Sequence, residues 1–290
     1  MKYYEYHDVN RRGTIHRVDY TTLRQDGKTI PKYANIYLPY GYDRGDLEKK
    51  YNILYVMHGG GGSPDAWMDC CMIKNMLDHT IDTGEMDPLI VVFPSYYKTP
   101  REGTPVSEKE QAEAEFFQKE LMEDLLPAVE SVCNTYADHM TPESFRASRM
   151  HRGFTGFSMG SANTWYTMMY NLDSFAWFVP LSGDCWSVEP LGGASHTEKT
   201  VKRLCEAVRK FGYDTDEYYI YAATGTEDKA YTAMEPQVQE MKKYKDVFVF
   251  EEDYSKGNFH YLLEEGLQHE YAAVIQYLYN FLPYLFKKEN

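Results

Sequence analysis

The sequence predicts an α/β protein, with a mostly parallel central sheet covered by helices on both faces and an antiparallel edge at its amino-terminal side. Three observations carry this. Short apolar runs at residues 51–57, 88–94 and 218–223 have the length and continuity of strands buried on both faces. Longer segments with apolar residues at helical spacing alternate with such runs, the order that builds parallel strands joined by crossover helices. The first forty residues hold two stretches of period-two alternation, the pattern of half-buried strands. At 290 residues with 43% hydrophobic content the chain can bury a sizeable core. No shift in composition marks a boundary, so residues 1–290 are expected to form one domain.

In chain order, residues 13–22 (GTIHRVDYTT) alternate, Asp26-Gly27 supplies a turn, and residues 33–39 alternate again, predicting a hairpin at the sheet edge. A polar loop leads to the run 51–57 (YNILYVM) and then to His58-Gly59-Gly60-Gly61-Gly62-Ser63-Pro64. Residues 67–84 read as helix, 88–94 (PLIVVFP) as strand and 96–107 as an irregular loop bearing Pro100, Gly103 and Pro105. Phe116, Phe117, Leu121, Leu125, Val129 and Val132 then recur at helical spacing, predicting an amphipathic helix over 113–136. After a strand at 152–155 and a helix at 161–170, strands are expected at 175–181, 218–223 and 246–251. Helices are expected at 197–211, 231–244 and 270–286. No internal repeat or low-complexity segment stands out.

Charge and composition exclude several classes of function. A net charge of −14 without any Lys/Arg cluster repels nucleic acid and anionic membrane surfaces, and the longest apolar runs are far too short to span a bilayer. The first residues, MKYYEYHDVNRRG, contain no apolar stretch of the secretory kind, but a mature form would look the same, so export is left open. Five cysteines, with Cys70 and Cys71 adjacent, give neither an even disulfide framework nor zinc-site spacing and read as mostly reduced core residues. The 27 tyrosines suit a core first, and sugar- or aryl-binding surfaces second. Oligomeric state is not legible.

The chemistry gathers around Gly156-Phe157-Ser158-Met159-Gly160, a G-x-S-x-G pattern between a strand and a helix. So sharp a turn lifts a serine hydroxyl above the sheet, and its flanking glycines are required because a Cβ would strike neighbouring backbone. The bare pattern is common; the strand before it and the helical pattern after it make Ser158 a candidate nucleophile. About 100 residues earlier, the His-Gly-Gly-type loop follows an early strand, where the second donor of an oxyanion hole is expected. Gly60 is the candidate there, alongside the Met159 N–H. No Gly-Lys-Ser/Thr follows to make it a phosphate loop.

A serine needs a base and an acid that fixes the base's tautomer, and in this order of elements acid precedes histidine after the serine. Asp228 lies just past the run 218–223, at the carboxyl edge where sites of open α/β sheets collect. Glu227 beside it, Asp184 and Asp253 are alternatives, and a solvated carboxylate is the plain reading of each. Of the later histidines, His196 precedes the acid and His260 sits in an alternating run, whereas His269 lies in a flexible edge before the final helix. His269 is therefore the candidate base; His58 and His151 read as hydrogen-bonding residues around the site.

These segments resemble feruloyl esterases of carbohydrate esterase family 1, in particular the esterase modules attached to clostridial xylanases. The stretches are YLPYGYD (37–43), YNILYVMHGGG (51–61), SRMHRGFTGFSMG (148–160), LSGDCW (181–186), ATGTEDKAY (223–231) and residues 266–286. The resemblance covers nearly the whole chain. It implies an α/β-hydrolase fold, Ser158, Asp228 and His269 as the triad, and hydrolysis of ferulate and related hydroxycinnamates from feruloylated arabinoxylan. It implies no large lid, no metal and no cofactor, and a secreted setting. Activity is expected to fall on the acid side as the base is protonated; a profile flat from about pH 4 to 9 would count against His269. An aryl acid needs an apolar slot, for which Trp186 is a candidate wall as well as a candidate core residue. The competing readings are acetylxylan esterase, an S-formylglutathione-type thioesterase, acyl transfer to an acceptor, and a carbohydrate-binding protein without chemistry.

Overall fold

Continuous apolar runs end up in the middle of the sheet and alternating runs at its edge. In the computed structural model, which describes residues 1–23, 27–97 and 108–287, the strands are β1 (Thr14–Leu23), β2 (Thr29–Leu38), β3 (Asn52–Met57), β4 (Leu89–Phe93), β5 (Arg152–Phe157), β6 (Trp177–Leu181), β7 (Tyr219–Gly225) and β8 (Phe259–Glu264). They form one sheet in the order β1-β2-β4-β3-β5-β6-β7-β8. β1 and β2 pair antiparallel, as does β2 with β4, and every other neighbour is parallel. The expected architecture is therefore present, with its antiparallel edge at the amino-terminal side.

The helices are α1 (Ala66–Cys71), α2 (Ile73–Asp82), α3 (Glu108–Glu120), α4 (Leu126–Glu130), α5 (Pro142–Ala147), α6 (Met159–Asn171), α7 (Gly192–Ser195), α8 (Thr197–Arg209), α9 (Tyr231–Met241) and α10 (Tyr271–Phe281). Alternate residues of each strand feed opposite faces. Ile53, Tyr55, Phe154, Phe178 and Ile220 share one apolar cluster with Phe117, Trp165, Leu204 and Val238. Leu54, Val56, Val179 and Tyr221 share the other with Trp67, Leu77 and Leu278. Both faces are covered, which is why the central strands carry no polar alternation.

Six expectations need correction or limits. The helix expected over 67–84 is split at Met72, whose left-handed backbone (φ 52°, ψ 29°) separates α1 from α2. The helix expected over 113–136 begins earlier, contains a wider turn at Leu121–Leu125 in which the Leu126 N–H bonds to the Leu121 carbonyl, and ends at Glu130. Pro127 explains the wide turn: it has no N–H to donate to the preceding helical turn. Residues 246–251 form no sheet strand; Phe250 makes an isolated bridge to Phe259, and β8 is the later run. The last helix stops at Phe281 and closes with a 3₁₀ turn, Leu282–Tyr284. The expected turn at Asp26 and the loop beyond Tyr97 lie outside the described residues.

Two polar devices fix the frame. Arg152, the first residue of β5, is 1% exposed and grips Glu130 with two bonds of 2.7 and 2.8 Å. Tyr55 and Thr135 hydroxyls also donate to Glu130, and the Phe145 and Ser174 carbonyls accept from Arg152. Breaking such a pair strands one buried charge, so Arg152→Met is expected to cost about 3–5 kcal/mol. Urea unfolding at unchanged m-value checks this; a loss below about 1 kcal/mol is the result that rejects it. At the chain start, Asn280 and Gln276 on α10 act as paired clamps. Asn280 exchanges bonds with the Lys2 N–H and C=O (2.9 and 2.7 Å), and Gln276 does the same with Tyr4 (2.5 and 3.2 Å).

Candidate active site

The order of strands prepares the site. β3 leads outward to β4, and the chain then returns across β3 to β5, so the crevice above the carboxyl ends of β3 and β5 is the switch point where ligands settle in such sheets. Register aligns the loops there: Met57 lies opposite Gly156, Phe157 opposite Leu181, Leu181 opposite Ala223, and Gly225 opposite Glu264. The next residues along each strand therefore converge on one rim.

Ser158 sits between β5 and α6 with φ 59° and ψ −114°, a left-side backbone that a non-glycine residue adopts only when its surroundings enforce it. They do so by close approach. A Cβ on Gly156 would stand 2.4 Å from the Gly160 carbonyl oxygen, and one on Gly160 would stand 2.7 Å from the carbonyl oxygens of Met57 and His58. The Ser158 N–H donates to the Leu181 carbonyl at 3.0 Å. The turn can be this tight only with glycine on both sides.

Ser158, His269 and Asp228, far apart in sequence, come together. The Ser158 hydroxyl donates to His269 Nε2 at 2.9 Å, and His269 Nδ1–H donates to Asp228 Oδ1 at 2.6 Å. Asp228 is 3% exposed, and the Ala230 N–H also donates to its Oδ1 at 2.7 Å. Phe157 packs at 4.7 Å against the His269 ring, limiting its swing. The arrangement can draw a proton from a hydroxyl and hold the resulting imidazolium against a buried carboxylate.

The other candidates lie elsewhere. Asp184, 1% exposed, accepts from Trp186 Nε1 (3.1 Å) and the Gly193 N–H (2.8 Å), and burial raises its pKa to about 6. Asp253 binds the backbone and side chain of Ser255 at the surface. His196 pairs with Glu189 in solvent. His260, buried on β8, donates to the Glu251 carbonyl and stacks on Tyr221. His151 corrects an expectation: it precedes β5 at the opposite end of the sheet, bonded to Asn52 and stacked on Tyr136, so it does not surround the site.

The glycine loop after β3 lies against the start of α6, with Met159 Sδ 3.3 Å from where a Gly60 Cβ would stand. Its amides are mostly occupied. The Gly59 N–H donates to the Tyr271 hydroxyl (3.1 Å), the Gly61 N–H to the Tyr97 hydroxyl (2.9 Å) and the Gly62 N–H to the Gly59 carbonyl (3.1 Å). Among the described residues, the Gly60 N–H is the glycine amide of this loop with no hydrogen bond. As the first residue of α6, Met159 offers an amide without an intrahelical partner. Trp186 is 5% exposed, its carbonyl accepting from Tyr166 and Gln111, in the same apolar cluster as Met159 and Tyr96.

Sequence reasoning missed Tyr271, Tyr97 and Ser95. Their one signal is position: Ser95 and Tyr97 closely follow β4, and Tyr271 lies two residues beyond His269. Among the described residues no group of three or more His, Cys, Asp or Glu side chains could hold a metal ion, and no helix is long and apolar enough to cross a membrane.

Comparison with known proteins supplies the remaining facts. A family model described as "Putative esterase" matches residues 31–277. Endo-1,4-beta-xylanase Y of Acetivibrio thermocellus is 43% identical over 256 residues, 88% of this chain and 22% of that protein. An endo-1,4-beta-xylanase/feruloyl esterase of Xylanibacter ruminicola is 27% identical over 191 residues, 65% of this chain and 24% of that protein. The chain thus spans under a quarter of the length of these relatives. Among solved structures, a serine-to-alanine mutant of the feruloyl esterase module from Clostridium thermocellum, complexed with sinapinate, superposes with TM-score 0.81 at 38% identity over 100% of this chain and 98% of that one. A ferulic acid esterase from Anaeromyces mucronatus gives 0.71 at 17% identity over 98% and 95% of the two chains, a likeness of fold alone.

Proposed function

The chain belongs to the esterase family whose model spans residues 31–277, and on that premise we propose that it is a serine carboxylesterase of α/β-hydrolase fold that releases ferulate and related hydroxycinnamates from arabinoxylan. The observation that carries the reading is the relay from the Ser158 hydroxyl through His269 to buried Asp228, at 2.9 and 2.6 Å. The choice of acyl group rests on the 38% identity to a feruloyl esterase module that accommodates sinapinate, and on the xylanase relatives.

In this mechanism His269 Nε2 takes the Ser158 proton as the hydroxyl oxygen attacks the ester carbonyl. The amides of Met159 and Gly60 receive the oxyanion. His269 then gives its proton to the departing sugar oxygen, leaving an acyl-serine that water hydrolyses by the same steps. Asp228 keeps the proton of His269 on Nδ1 and offsets the imidazolium charge. Trp186 forms part of the wall beside the aryl group. No metal or cofactor takes part, and a wall polysaccharide as substrate places the enzyme outside the cell. One fold unit, residues 1–290, carries the whole site.

The test compares methyl ferulate, 4-nitrophenyl acetate and acetylated xylan, and follows ferulate released from feruloylated arabinoxylan. Efficient ferulate release with little acetate release from xylan is expected. Acetate release without turnover of methyl ferulate assigns an acetyl esterase instead, and ester formation with an added acceptor assigns a transferase. Xylan binding without any turnover leaves only a binding protein.

A further inference from the structure

The loop that carries Gly60 is held by a buried polar chain. His58 is fully buried; its Nδ1 lies 2.7 Å from the Gly59 carbonyl and its Nε2 lies 2.8 Å from the Ser95 hydroxyl. A carbonyl only accepts, so Nδ1 bears the proton and Nε2 accepts from Ser95. Ser95 Oγ in turn accepts the Tyr97 N–H at 3.2 Å, and the Ser95 carbonyl accepts from Lys32 Nζ at 2.5 Å. Lys32, itself buried, is paired with Glu120, to which Tyr20 also donates.

The geometry of the peptide unit gives this chain a consequence. In a trans peptide the C=O of one residue and the N–H of the next point in opposite directions in one rigid plane. No cis peptide occurs among the described residues, so the Gly59 C=O and the Gly60 N–H are opposed. The Gly59 carbonyl is held from one side by His58 Nδ1–H (2.7 Å) and the Gly62 N–H (3.1 Å), which fixes where the Gly60 N–H points. Four glycines in succession would otherwise let that plane flip at little cost.

We propose that His58, locked by the Ser95 hydroxyl as the tautomer protonated on Nδ1, is the positioning residue that aims the Gly60 N–H at the oxyanion. This rests on the esterase reading of the same site. The Tyr271 and Tyr97 hydroxyls complete the device by occupying the amides on either side, at 3.1 and 2.9 Å, so that among the described residues Gly60 carries the one glycine amide of the loop left for the substrate. Burial, reinforced by the Lys32 charge, lowers the His58 pKa to about 4, so the ring stays neutral and its tautomer stays fixed across neutral pH.

The test measures kcat and KM for 4-nitrophenyl acetate and methyl ferulate with Ser95→Ala, Ser95→Thr, His58→Leu and His58→Asn, with unfolding midpoints for each. An oxyanion donor is worth about 100 to 1,000-fold in turnover, and misaiming one rather than deleting it is expected to lower kcat by about 10 to 100-fold in Ser95→Ala and His58→Leu. KM is expected to stay within about twofold, because the contact forms in the transition state. Ser95→Thr keeps the hydroxyl, and His58→Asn keeps a donor near the place of Nδ1; both are expected to recover much of the loss. Ferulate affinity in a Ser158→Ala background should not change with Ser95→Ala. A folded Ser95→Ala with parental kcat, or a rise in KM alone, overturns the proposal. Should Ser95→Ala not fold, equal kcat for the two His58 variants overturns it. Parental turnover that survives Ser158→Ala defeats the esterase reading instead, so the two failures are told apart.

Discussion

Ser158→Ala is expected to lower kcat on methyl ferulate on the order of 10⁶-fold while leaving the fold and hydroxycinnamate binding in place. The magnitude follows from losing the nucleophile itself: without an oxygen at this position no acyl-enzyme can form, and only the oxyanion donors and binding contacts remain. Stability should change little. The strained backbone at φ 59° is equally strained for serine and alanine, since both carry a Cβ, and the hydroxyl removed is bonded only to His269 among the described residues. Stopped or discontinuous assay of ferulate release, with circular dichroism and product-binding titration on both proteins, makes the measurement. Retention of more than about 1% of parental kcat would place the nucleophile elsewhere.

For Asp228→Asn the expected loss is on the order of 10⁴-fold in kcat with KM nearly unchanged. An amide in place of the carboxylate can donate to His269 Nδ1 and so stabilise the tautomer with its proton on Nε2, facing Ser158 when it should be accepting. The Ala230 N–H bonds the same Oδ1 as His269 Nδ1, at 2.7 and 2.6 Å, so an amide nitrogen turned toward His269 forfeits that bond and the loop after β7 is expected to lose some stability as well. A loss below about tenfold would reject Asp228 as the partner of the base. Asp184 is a poor substitute because both its oxygens are already bonded, one to Trp186 and one to Gly193.

Much of this fold and of the candidate site is legible in the sequence, and the reasons differ by residue. Strands such as β3 and β4 announce themselves because burial on both faces forbids polar alternation. Ser158 is legible because the turn needs Gly156 and Gly160, where a Cβ would lie 2.4 and 2.7 Å from backbone oxygens. The pairing of Asp228 and His269 follows from chain order and strand ends. What failed was choosing between two apolar runs near the end of the chain. Residues 246–251 alternate as well as β8 does, but Asn258 binds the backbone of Val247 and Val249 through its side chain, and Phe259 then pairs beside Ile220. Periodicity says that a segment suits a strand, not which neighbour accepts it. Tyr97, Tyr271 and Ser95 stayed hidden because hydroxyls that serve backbone amides leave no spacing rule behind.

The clamps on Lys2 and Tyr4 set the direction of anything joined ahead of the first residue. Gln276 and Asn280 lie five and nine residues beyond Tyr271 on the same helix, so Lys2 is moored about 14 Å down α10 from the hydroxyl that binds the glycine loop, at 1.5 Å per residue. From Tyr4 to Lys2 the chain thus runs along α10 away from the glycine loop, and a tag fused ahead of Met1 is expected to set off in that direction. Tethering to a surface through this terminus is therefore expected to turn the rim that carries Ser158 outward.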